Sequence, residues 1–181
     1  MGSVCVYCGS RDGRDPRHAA AAEAVGRMIA ANGWGLVYGA GDVGLMGRVA
    51  RATQAAGGRA MGVIPRHLFP REVAKGDLDR LVVTETMHER KTVMFMNAEA
   101  VVCLPGGAGS LDEFFEVLTW RQIGLHEKPI LLLNEGGYWA PLLALLEHVV
   151  AQGFAGPEVL GYVTVAADVP ALEEALRRAL G

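Results

Sequence analysis

Three cysteines, Cys5, Cys8 and Cys103, are too few and too odd in number for a disulfide framework, which excludes the small stapled folds of secreted proteins. Charge of one sign is also scarce. Lys and Arg number 17 against 20 Asp and Glu, a formal net charge of -3, so the strongly basic field that suits a nucleic-acid polymer is missing. No apolar stretch reaches the length of a membrane span, and residues 1–7 carry no basic region followed by a long apolar one. Neither a membrane partner nor a secretory signal is expected. There is no linker, internal repeat or low-complexity segment. What remains is a composition 51% hydrophobic and 20% charged in 181 residues, enough to bury one substantial core. A single domain over residues 1–181, working in the cytoplasm, is the expectation.

Short apolar runs alternate with helical segments along the whole chain. Strands are expected at residues 4–7, 35–38, 60–64, 81–84, 101–104, 129–133 and 162–165. Helices are expected at 17–31, 45–56, 87–97, 110–124, 139–152 and 169–180. The charged connection 65–79 is the one segment that reads as a mobile loop. This alternation predicts an α/β, Rossmann-like three-layer sandwich with a central parallel sheet. In such a fold ligands lie beyond the carboxyl ends of the strands, where the strand order reverses. Gly9-Ser10, Gly39-Ala40-Gly41 and 105–110 all fall at those ends.

Each of these segments has two readings. In 105–113 an apolar strand runs through Pro105-Gly106-Gly107 into a helix, leaving uncovered amides at a helix start, a ready seat for an anion. Asp112, Glu113 and Glu116 follow on that helix. Ser110 and Glu113 also have the spacing of a capping box, so capping and catalysis weigh about equally for Glu113. The segment 38–47 is either a phosphate cradle or a tight turn with close helix packing. It lacks the lysine of a P-loop, and Tyr38 and Gly39 stand where a dinucleotide enzyme carries its ribose-binding acid. Residues 87–91 are either solvated surface or the carrier of Arg90, which shares a helical face with Met87 and Met94 and suits a phosphate or carboxylate. Cys5 and Cys8 have C-x2-C spacing. Cys5 lies inside a strand, however, and no second pair exists, so buried thiols are the better reading. No convincing cluster of metal ligands is present.

Taken together, Cys8-Gly9-Ser10, the segment 38–47 with its Gly44-Leu45-Met46-Gly47 end, Met87-His88-Glu89-Arg90-Lys91 and the run 105–113 resemble the LOG ("lonely guy") family. Thr119-Trp120, Gln122, His126, Lys128-Pro129, Asn134, Gly137-Tyr138 and Gly153-Phe154 extend the resemblance over nearly the whole chain. These proteins are cytokinin riboside 5'-monophosphate phosphoribohydrolases, long mislabelled as lysine decarboxylases. The resemblance implies hydrolysis of the N-glycosidic bond of N6-modified AMP to free base and ribose 5-phosphate. It implies Arg90 and Glu113 as the catalytic pair and Gly107, Gly109 and Ser110 as the phosphate seat. Gly9, Ser10, Gly39 and Gly41 would line the nucleotide cleft, with Met87, Glu89 and Lys91 shaping it. No cofactor or metal is implied. The expected partners are a nucleoside monophosphate and a second copy of the chain.

Departures from the family pattern are small. Ala40 stands where relatives more often have glycine, which would add a methyl near the cleft; Ser110 replaces threonine and Asp112 replaces glutamate. Two alternatives remain open: hydrolysis of plain AMP or another purine monophosphate, and a nucleotide- or molybdenum-cofactor-binding protein without turnover. Amino-acid decarboxylation has no support, since Lys75, Lys91 and Lys128 offer no context for a Schiff base.

Overall fold

The computed structural model describes residues 2–68 and 78–181; most of the connection read as a mobile loop lies outside them. Seven strands form one sheet: β1 (Ser3–Tyr7), β2 (Gly35–Tyr38), β3 (Arg59–Pro65), β4 (Arg80–Thr84), β5 (Ala100–Cys103), β6 (Ile130–Leu133) and β7 (Val163–Ala166). Among the described residues seven α-helices accompany them: α1 (Pro16–Ala31), α2 (Gly44–Ala55), α3 (Met87–Met96), α4 (Ala108–Gln122), α5 (Ala140–Ala151), α6 (Glu158–Gly161) and α7 (Val169–Leu180). Each expected strand and helix is present, with ends within two residues of those read from the sequence. The four-residue α6 and two short 3-10 turns were not foreseen, being too brief to show a period.

The strand order is β4-β3-β2-β1-β5-β6-β7, and every pairing is parallel. The central strands are apolar throughout because both faces are covered. Along β1 the side chains alternate between two cores. Val4 and Val6 join Val49 of α2, Ile29 of α1 and Leu172 of α7 on one face. Cys5 and Tyr7 join Met94 of α3, Phe114 of α4 and Leu142 of α5 on the other. The chain therefore folds as the expected Rossmann-like three-layer sandwich. The chain leaves β1 in opposite directions across the sheet, so β1 and β5 mark the switch point. The loops that follow these two strands open onto a common crevice there.

Ala40 is a non-glycine residue in left-handed backbone, with φ of 62°, and it is completely buried. Its methyl lies against Gly62 of β3 and does not line the cleft, contrary to the expectation of a tighter cleft. The geometry explains why glycine is common there. Relief of left-handed strain is worth about 1–2 kcal/mol. Against it stand a lost buried methyl, about 0.8 kcal/mol, and the extra unfolded-state entropy of glycine, about 0.4–1 kcal/mol. Ala40→Gly should therefore leave stability within about 1 kcal/mol of wild type in a denaturant melt. A larger change in either direction would contradict this balance.

Candidate active site

The cleft is assembled by backbone bonds at the switch point. Leu104 N–H donates to Tyr7 O at 2.9 Å, and Gly9 N–H donates to Pro105 O at 3.0 Å. Gly9 O in turn accepts from Leu45 N at 3.1 Å and Met46 N at 3.4 Å, so one residue joins the loops after β1, β2 and β5. A side chain at Gly9 would press on Arg11 O, Gly106 Cα and Pro105 O. The outer end of the β1 loop is held by Arg48, whose Nε and Nη2 donate to the Asp12 carboxylate at 2.8 and 2.9 Å while Nη1 reaches Glu23 at 2.7 Å.

The first amides of α2 are thus taken up by Gly9, whereas those of α4 are open. Helix α4 begins at Ala108 with Gly107 as its N-cap, and no side chain caps it. The first amides of a helix have no partner within the helix. The space a Cβ would occupy at Gly107 or Gly109 is empty, so no neighbouring atom crowds those positions at the helix start. Ser110 is therefore not the N-cap. It lies inside the first turn, buried, with its hydroxyl over Gly106, where any Cβ would collide with it. The capping box expected from Ser110 and Glu113 does not form because the helix starts two residues earlier, and Glu113 is left without a capping role. Tyr138 Oη donates to Gly106 O at 2.6 Å and fixes the turn from the far side.

Arg90 and Glu113 both line this cleft, Glu113 from α4 itself, about one helical turn beyond Gly109 and Ser110. Thr86 caps α3 by accepting from Glu89 N at 3.1 Å, and Glu89 returns a bond to Glu85 N at 2.8 Å. This sets the register that drives Arg90 inward. Arg90 is only 6% exposed; its Nε donates to Val63 O at 3.1 Å and its Nη2 to Gly39 O at 2.7 Å. A Cβ on Gly39 would collide with Nη2, so this glycine makes room for the arginine. Glu113 is half-buried and, among the described residues, has no hydrogen-bond partner. Burial lifts its carboxyl from 4.5 to about 7; Asp112 and Glu116 add to the lift, and Arg90 and Lys91 oppose it.

The resulting cleft holds about 500 Å³. Of the residues expected there, Gly9, Ser10, Met87, Arg90, Gly107, Gly109, Ser110 and Glu113 line it. Gly39, Gly41, Glu89 and Lys91 do not line it. The first two are buried, Glu89 caps α3, and Lys91 is paired with Asp112 and Glu116. Arg11, Asp12, His18, Met46 and Tyr138 also line the cleft, although none of them was expected as a site residue. His18 and Tyr138 stand edge to face with ring centroids 5.3 Å apart. Tyr138 sits in the resembling Gly137-Tyr138 pair; His18, on an alanine-rich helix, gave no signal. The thiols of Cys5, Cys8 and Cys103 are free and pushed up by burial, so the C-x2-C pair carries no thiolate chemistry. Among the described residues no group of three or more His, Cys, Asp or Glu could hold a metal ion.

Fold and cleft define a class: a Rossmann-like α/β protein with an open anion seat at a helix start and a carboxylate–guanidinium pair beside it. Solved structures agree on the fold. The chain superimposes on the molybdenum cofactor carrier protein of Chlamydomonas reinhardtii with a TM-score of 0.77 at 24% identity, over 99% of this chain and 98% of that one. TM1055 gives a TM-score of 0.75 at 22% identity, over 98% and 99% of the two chains. Residues 46–176 match the family described as "possible lysine decarboxylase". The cytokinin riboside 5'-monophosphate phosphoribohydrolase of Rhodococcoides fascians is 44% identical over 97% of this chain and 89% of its own length. The rice enzyme of that name, LOG, is 44% identical over 83% of this chain, which spans 62% of that longer protein. Arabidopsis thaliana LOG7 is 42% identical over 85% of this chain and 71% of its own. The chain belongs to the LOG family.

Proposed function

We propose that the protein hydrolyses the N-glycosidic bond of N6-modified adenosine 5'-monophosphates, releasing the free base and ribose 5-phosphate. The observation that carries this is the meeting in one cleft of Arg90 and a half-buried Glu113 that has no hydrogen-bond partner among the described residues, one helical turn from the open amides of α4. A 5'-phosphate on the amides of 108–110 has the helix dipole behind it, which favours the monophosphate over the nucleoside. As the C1'–N9 bond breaks, positive charge develops on the ribose. The ionised Glu113 stabilises that charge and accepts the proton of the attacking water, whose oxygen ends on C1'. The electron pair of the broken bond leaves with the base, which takes up a proton. Arg90, rigid on two backbone carbonyls, orients the phosphate or a ribose oxygen.

This reading carries with it one catalytic domain, residues 1–181, acting as a homodimer in the cytoplasm. Met96, Phe115, Ile123 and Leu125 are exposed apolar side chains on α3, α4 and the turn after it, and support a second copy docking there. No described helix is long and apolar enough to cross a membrane.

The test is product analysis with AMP, N6-isopentenyl-AMP and the matching nucleoside. Free base and ribose 5-phosphate are expected from the modified monophosphate, with less from AMP and least from the nucleoside. Equal turnover of AMP would shift the substrate to purine monophosphates in general. No base from any of them, with folded nucleotide-binding protein, would overturn the enzyme and leave a carrier.

A further inference from the structure

Lys91 was expected to shape the cleft, but it does not line it; its side chain is taken up by acids of α4, of which Asp112 does line the cleft. It is 6% exposed, and its Nζ donates to Asp112 Oδ2 at 2.9 Å and Glu116 Oε2 at 2.6 Å. Asp112 and Glu116 are four residues apart on α4, on either side of Glu113. Lys91 is the residue after Arg90 on α3. A buried ammonium is tolerated only when paired, and here burial, which lowers its pKa, is outweighed by the bonds to Glu116 and Asp112, so the charge is kept.

We propose that Lys91 is a positioning residue: its ammonium pins α3 to α4 through Asp112 and Glu116, and so holds Arg90 and Glu113 in register while cancelling the two acids that flank Glu113. The proposal rests on the phosphoribohydrolase reading for its catalytic meaning, but its geometry stands apart from it. The charges that face Glu113 are Arg90 and Lys91 from α3 and Asp112 and Glu116 from its own helix. From β1 and its end come the Cys5 and Cys8 thiols and the Tyr7 phenol, and from β5 the Cys103 thiol, all kept neutral by burial. With the thiols and phenol neutral, Lys91 and its two acids are the adjustable charges around the carboxylate. Removing the ammonium would leave both acids acting unopposed on Glu113.

The experiment is a carbon-13 NMR titration of the Glu113 carboxyl in the full chain, assigned with Glu113→Gln. It compares wild type, Lys91→Met, Lys91→Arg and the double variant Asp112→Asn/Glu116→Gln. Lys91→Met should raise the Glu113 midpoint by about one pH unit, and Lys91→Arg should return it near wild type. The double variant should lower it, because both acids beside Glu113 are gone, whether or not Lys91 keeps its proton without them. The acid limb of kcat/KM should move in the same order, which a merely structural role would not produce. An unmoved midpoint in folded Lys91→Met overturns the proposal, and so does a rise in the double variant. If Lys91→Met does not fold, an unmoved midpoint in the double variant overturns it alone. Titration needs no turnover, so a wild type without base release would defeat the phosphoribohydrolase reading while the shifts in midpoint still decide the role of Lys91.

Discussion

Glu113→Gln should cut base release by orders of magnitude and at the same time make the protein more stable above neutral pH. The carboxyl titrates near 4.5 when unfolded and about 7 when folded, so between these values the folded chain holds the extra proton. Its contribution to stability is complete below about 4.5 and falls away as pH rises through 7. An uncharged amide of the same shape removes that decline. Against wild type, the variant should gain on the order of 2 kcal/mol between pH 5 and pH 8, read as a melting temperature roughly 4–8 °C higher at pH 8. Base release should drop by about 10³-fold, because glutamine neither balances the charge on the ribose nor takes a proton from water. In wild type the rate should climb with pH through about 7, as the carboxyl ionises. Parallel stability curves for the two proteins across this range would refute the assignment of the raised pKa to Glu113.

The second large effect concerns Arg90 and a glycine that never touches the cleft. Lys at position 90 has one charged centre and cannot serve Gly39 O and Val63 O together. Arg90→Lys should therefore lose about 1–3 kcal/mol of stability and roughly 10²-fold or more in kcat/KM. Gly39→Ala should give a similar loss of activity with the arginine still present, since the new methyl takes the place of Nη2. The two changes act on one contact, so combined they should cost much less than the sum of their separate effects. Additive losses in kcat/KM, measured through the double-mutant cycle, would show that Gly39 acts by some other route.

Most of the scaffold could be read from the chain because each apolar run is short and bounded, and each helix keeps one apolar stripe. The Rossmann-like sheet followed from that alternation alone. The candidate cleft was legible where chemistry and backbone coincide, at Gly107, Gly109, Arg90 and Glu113, all of which line it. It was illegible where a side chain's role depends on which way it turns. Lys91 and Glu89 look like cleft residues in sequence, yet one pairs with α4 and the other caps α3. A helix start is also uncertain by a residue or two, and that margin decided between a capping and a free Glu113. His18 and Tyr138 reach the cleft only through tertiary contact, their rings and a 2.6 Å bond to Gly106 O, which no spacing announces.

Gly9 binds the loops of three strands by backbone alone, so the anion seat exists only when β1, β2 and β5 are all docked. A partly assembled sheet offers a ligand nothing to hold. A nucleotide held there would therefore select the completed sheet, and saturation at one hundred times Kd would deepen its stability by about 2.7 kcal/mol. The gain should spread as slower amide exchange through the central strands, far from the bound phosphate.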